Sequence, residues 1–207
     1  MTRKLILDAA VTCLVEQGYR RTTAALIAKY AGVSRGAMMH HFPSRLAVIM
    51  AVVEHVHQRR LQEYMRLMQG IDMPGTSLER AAIRRSVEAA WSYVNLPSFR
   101  AYQELLAASR TDPELGEVLQ RVEREFENHF FDTVKNVFPH WEKLDVLGLA
   151  NDVVQFSMQG MALSHMATRK QQRARRMIEH ITDQLEGWYQ QAVAGERASA
   201  SAKENVS

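Results

Sequence analysis

The chain has 207 residues, 46% of them apolar and 24% charged, the proportions of a globular protein and neither a disordered nor a membrane-embedded one. No run approaches the roughly 18 uninterrupted apolar residues of a membrane span, and the start MTRKLILDAA lacks a long apolar run followed by a small-residue cleavage site. Cys13 is the one cysteine, so no disulfide framework is possible, a reducing compartment fits, and a soluble cytoplasmic protein with no cofactor, metal or membrane partner is expected.

The net charge of +3 is unevenly placed. Residues 1–50 hold seven lysines and arginines against Asp8 and Glu16, a net of +5, while residues 51–195 hold 17 basic and 19 acidic residues, a net of −2. A basic head on a slightly acidic body suits a module that binds a polyanion, joined to something else.

Helical periodicity runs throughout, and no stretch alternates with strand period. Ile6, Ala9, Ala10, Cys13, Leu14 and Gln17 recur at steps of three and four, with Gly18 where a helix ends. A second helix starts near Thr22 or Thr23, whose hydroxyls can cap it, and carries Leu26, Ile27 and Tyr30. Ala31-Gly32-Val33 is a short turn, Ser34 caps a third helix, and Phe42-Pro43 ends it. A long helix is expected from about Ser44 to Met68, with Leu46, Ile49, Val53, His57, Leu61, Tyr64 and Met68 along one side, broken by Gly70 to Gly75. Further helices are expected over 77–94, 98–110, 114–138, 143–167 and 171–194, with a disordered tail from Gly195.

The stretch TTAALIAKYAGVSRGAMMHHF has the parts of a helix-turn-helix. Gly32 allows the turn, Val33 plugs the junction, Ser34 caps the second helix of the pair, and Gly36 and Ala37 keep its start slim enough to approach a groove. Leu26, Ile27, Ala31 and Met38 are the expected core contacts. Turn chemistry, periodicity and charge agree.

The segment RKLILDAAVTCLVEQGYRRTTAALIAKYAGVSRGAMMHHFPSR resembles the DNA-binding domain of the tetracycline-repressor (TetR/AcrR) family, closely over about the first 50 residues and beyond them only in helical layout and length. The resemblance implies an all-α fold: a three-helix DNA-binding domain over 1–46, a helical ligand-binding and dimerisation domain over 47–194, and the tail 195–207. It implies a homodimer that binds a palindromic operator in double-stranded DNA and releases it when a small effector enters the body, and more often a repressor than an activator. Its DNA contacts carry over to Thr23, Ser34, Arg35, Gly36, Ala37, His41 and Arg45. Arg35 reads a guanine edge, Ala37 touches a thymine methyl, and Thr23 and Arg45 hold phosphate. Thr23 and Ser34 also read as plain caps, and His40 and His41 as surface histidines. The sequence departs at Met39, where the family commonly has a tyrosine on the DNA backbone. Methionine cannot donate that hydrogen bond, and His40 stands next to it.

The body is rich in Met and aromatic residues. Ordinary packing explains each singly, and an adaptable apolar pocket explains them together. Trp91, Phe99, Tyr102, Gln103, Phe126, His129, Phe130 and Gln155 are the candidate ligand residues. Ile178, Ile181, Leu185 and Trp188 follow three-four spacing, as do Val153, Phe156, Gly160 and Leu163, and these two faces are the expected dimer seam. The alternative is that both faces pack within one chain. The basic cluster Arg169, Lys170, Arg173, Arg175 and Arg176 reads as a solvated helix end.

Two other classes compete. An enzyme is disfavoured because there is no Gly-rich phosphate loop, HExxH, nucleophile elbow or Cys/His pair, and His55 and His57 point different ways on a helix. A helical protein-interaction module would explain the body but leave the basic head and its turn without a purpose.

Overall fold

A computed structural model describes residues 2–69, 71, 79–137, 146–164 and 170–204. The helices are α1 (Thr2–Gln17), α2 (Ala24–Ala31), α3 (Arg35–His41), α4 (Arg45–Met68), α5 (Glu79–Val94), α6 (Pro97–Ser109), α7 (Pro113–Val137), α8 (Leu147–Leu163) and α9 (Lys170–Glu204), with a 3-10 turn at Tyr19–Arg21. No strand occurs among the described residues. The all-α expectation therefore holds.

Local chemistry sets most of the boundaries. Gly18 has φ 74°, the left-handed region that lets the chain leave α1. Pro97 and Pro113 open α6 and α7 at the first helical position, where a missing N–H costs nothing. The expected breaks at 70–75 and at Pro139 lie almost wholly outside the described residues.

Contacts divide the chain into two compact units. The first comprises Met1–Met65 and Asn95–Phe130, so the helices packed with the N-terminal head continue past residue 46. Here α1 packs against α2 and α6, and α2 against α3. Ile6, Ala10, Cys13 and Leu14 of α1 are fully buried, with Ile27 of α2 and Val48 and Val52 of α4. Along α4 the expected face holds at Ile49, Val53, His57, Tyr64 and Met68, but Leu46 is exposed. Periodicity placed Leu46 in the core, yet the first turn of α4 stands free on that side.

The second unit comprises Arg66–Val94 and Phe131–Ser207, with α5 packed against α9 and α8. Arg80 of α5 pairs with Glu179 (2.9 Å), Asp183 (2.6 Å) and Glu186 (2.5 Å) of α9, and Arg84 pairs with Glu179 (2.9 Å). Ile178, Ile181 and Leu185 are buried by their own chain. Their apolar spacing thus serves packing inside this unit. Beyond the expected end of the body at 194, α9 runs through Gly195 to Glu204. Its Ala-rich end, AGERASASAKE, supplies enough helix-forming residues to carry the helix across one glycine.

Candidate nucleic-acid interface

The recognition element is assembled by its caps. Thr23 caps α2, its Oγ1 accepting from the Leu26 N–H (3.2 Å). Gly32 follows α2 with φ 65°. The Gly32 N–H donates to Lys29 O (3.2 Å) and the Val33 N–H to Ala28 O (3.0 Å). These are the two bonds of a Schellman ending, which requires a left-handed residue at Gly32. Ser34 then caps α3, its Oγ accepting from the Ala37 N–H (3.1 Å).

The cap role expected of Thr23 and Ser34 is therefore present. An accepting hydroxyl keeps its own proton for another partner. Met38, 1% exposed, pins α3 to the core, and buried Phe42 closes the helix beneath the Arg3 guanidinium, 5.5 Å from its ring centre.

With Met38 inward, the remainder of α3 faces out. Arg35, Gly36, Met39, His40 and His41 are exposed and Ala37 is half-buried. The rings of His40 and His41 meet edge to face at 5.4 Å. The structure thus brings Ser34, Arg35, Gly36, Ala37, Met39, His40 and His41 onto one short helix and its cap. Thr23 stands exposed at the start of α2. Arg45, exposed at the start of α4, lies over the ring of Tyr19 at 5.1 Å.

The head is braced from α1. The Tyr30 hydroxyl donates to Glu16 Oε2 (2.9 Å) and accepts from Gln17 Nε2 (3.4 Å). Asp8 accepts from Lys4 (2.8 Å) and meets His55 Nε2 of α4 (2.9 Å). Burial pushes the Asp8 carboxyl up, but the hydrogen bonds and charges of Lys4 and His55 outweigh it and hold it below the usual range. Cys13 is buried and its thiol is pushed up to about 11, first by burial and then by Glu16. It is a core residue.

The candidate ligand residues separate. Phe99, Tyr102, Phe126 and Phe130 belong to the first unit, Trp91 and Gln155 to the second. Tyr64 stacks on Phe130 at 4.6 Å, and Phe126 lies beside Phe130 at 6.2 Å. The rings close around Arg60, whose guanidinium is 3.5 Å from the Tyr102 ring centre and 4.3 Å from that of Phe126, and pairs with Glu123 at 2.6 Å.

Arg60 is 3% exposed. Sequence reasoning missed it because an arginine at a buried α4 position carries no local mark. Gln103 is half-buried, with Nε2 unpartnered among the described residues. His129 is exposed, its Nδ1 2.8 Å from its own-helix Glu125 O.

Of the expected dimer residues, Phe156 is 71% and Leu163 61% exposed, Gly160 is exposed, and Val153 and Trp188 are half-buried. Leu149, 57% exposed, extends the same face of α8 and was missed. Lys170 lies over Trp91 at 5.8 Å, while Arg169 lies outside the described residues. No helix among the described residues is long and apolar enough to cross a membrane, and no group of three or more metal-binding side chains occurs among them.

Comparison with known proteins agrees with this geometry. Residues 6–52 match the family model for bacterial regulatory proteins of the tetR family. An HTH-type transcriptional regulator of Mycobacterium bovis is 31% identical over 63% of this chain and 64% of its own. The chain thus spans a little under two thirds of that relative's length. CymR of Pseudomonas putida, also an HTH-type transcriptional regulator, is 32% identical over 59% of each chain. A solved transcriptional regulator from Rhodococcus sp. Rha1 shares the fold over 92% of this chain and 97% of its own, with TM-score 0.63 and 16% identity. Built around the capped turn at Gly32, the segment from α1 to the start of α4 is the part of the chain that is similar to the tetR family of bacterial regulatory proteins.

Proposed function

We propose that this protein is a sequence-specific, DNA-binding transcriptional regulator, a repressor that releases a palindromic operator when a small, largely apolar effector binds. The observation that carries the reading is the outward face of α3, with Arg35, Gly36, Met39 and His40 exposed behind a rigid cap and Met38 locked inward. Arg35 is the base reader, Ala37 the groove contact, and Thr23, Ser34, His41 and Arg45 the phosphate contacts.

One short helix reads few bases, so the working form is a homodimer whose heads address half-sites about 34–36 Å apart or a multiple of that. The exposed face of α8, Leu149, Phe156, Gly160 and Leu163, is the seam. The effector site draws on Phe99, Tyr102, Phe126 and Phe130, beside α4, which leads directly back to α3. An effector that favours one tilt of α4 shifts the heads, with a coupling of about 1–3 kcal/mol.

The test is a footprint on the DNA flanking the protein's own gene, followed by selection from random-sequence duplexes. A protected palindrome supports the reading. Uniform, sequence-blind binding in both experiments would overturn it in favour of an interaction module.

A further inference from the structure

The proposed phosphate contact at Arg45 is held by a residue that lies outside both α2 and α3. Tyr19 sits in the 3-10 turn after α1, within the first compact unit. Its ring lies under the Arg45 guanidinium at 5.1 Å, and its hydroxyl donates to Asp112 Oδ2 at 2.9 Å. The other oxygen of that carboxylate, Oδ1, accepts the Leu115 N–H at 3.2 Å, so Asp112 also caps α7. The Tyr19 N–H donates to Glu104 Oε2 of α6 at 3.4 Å.

Gly18 makes this possible. A Cβ there would come within 3.1 Å of that same Glu104 oxygen, and its φ is 74°. These residues line an open cleft of about 960 Å³ between the turn and the α6–α7 corner, with Arg20, Arg21, Thr111 and Glu114 among its walls. The phenol is held above its usual pKa, first by burial and then by Asp112, so it stays a proton donor at neutral pH.

We propose that Tyr19 is the positioning residue for Arg45, tying the start of α4 to the α6–α7 corner through Asp112. The contact is a relay. Asp112 orients the phenol, the ring restricts the guanidinium, and a shift of the corner releases Arg45 from the direction of the DNA. The α6–α7 corner thereby biases DNA affinity without touching DNA. This rests on the DNA-binding reading for its affinity consequence and on geometry alone for its mechanical one.

The test is a double-mutant cycle with the full chain, using as probe the duplex that wild type selects from a random-sequence library. Tyr19→Ala is expected to weaken binding about 2- to 5-fold, the scale of an exposed cation–π contact. In an Arg45→Ala background the same change should have little further effect. An equal loss in both backgrounds would overturn the proposal, since it would show a general structural role.

Hydrogen exchange supplies a second readout that needs no DNA. Tyr19→Phe keeps the ring and removes the Asp112 bond. It should speed exchange severalfold at the Leu115 amide and at the Ala47 amide, which donates to Ser44 Oγ at 3.0 Å. Unchanged exchange at either amide would overturn the relay. If wild type selects no duplex, the DNA-binding reading fails and exchange alone decides the relay.

Discussion

His57 shows how much of this protein is set by single buried groups. Its side chain is buried on α4, with Nε2 3.6 Å from Glu125 and Nδ1 unpartnered among the described residues. Burial and then the nearby Arg60 charge outweigh Glu125, Glu123 and Glu54, and hold the imidazole below its ordinary 6.5. The folded state therefore binds fewer protons than the unfolded chain. Its stability is full above pH 6.5 and falls as pH drops from there through the folded-state value. His57→Gln is expected to flatten the fall in thermal midpoint just below that pH, read by scanning calorimetry across the range. Asp8 works in the same direction at lower pH: its lowered carboxyl contributes stability that is present above the ordinary carboxylate range and lost in stronger acid. Arg60 depends on its partner, and Glu123→Ala should cost about 1.5–3 kcal/mol in a urea titration, the scale of a hydrogen bond to a charged group.

Most element boundaries were legible because their punctuation is local. Gly18, Gly32, Ser34, Pro97 and Pro113 each impose a backbone conformation or remove a donor, and the helices stop or start beside them. Gly32→Ala forces a side chain into the left-handed region and should cost about 1–2 kcal/mol. Ser34→Ala should cost about 1 kcal/mol through the lost cap. Chemical denaturation of each variant checks both, with the larger loss expected at Gly32.

Where the reading diverged, the deciding contact was remote or the local rule was outvoted. Leu46 has core-like spacing but nothing covers it, and α9 passes Gly195 because alanines surround that glycine. The apolar spacing at Ile178, Ile181 and Leu185 marks a buried face correctly, but periodicity cannot say which chain covers it. Tyr19 and Asp112 lie 93 residues apart, and no motif links them.

At the scale of the whole molecule, charge and exposed apolar surface carry the functional argument. The basic head and slightly acidic body concentrate attraction for a polyanion at α1 to α3. Phe156 and Leu163 stand largely exposed on α8, the kind of face that a second copy would bury. Phe156→Glu should shift the protein from dimer to monomer in light scattering at micromolar concentration, with its helix content unchanged.

The most direct measurement compares wild type and Arg35→Ala on the selected duplex and on a scrambled one at two salt concentrations. Phosphate contacts make log K fall with log salt at a slope of about −0.9 per contact. The account predicts a steep slope for wild type, a strong preference for the selected duplex, and loss of most of that preference in Arg35→Ala with the slope little changed. If Arg35→Ala keeps full preference, or if wild type shows no salt slope, α3 is not the reading element and the central claim is contradicted.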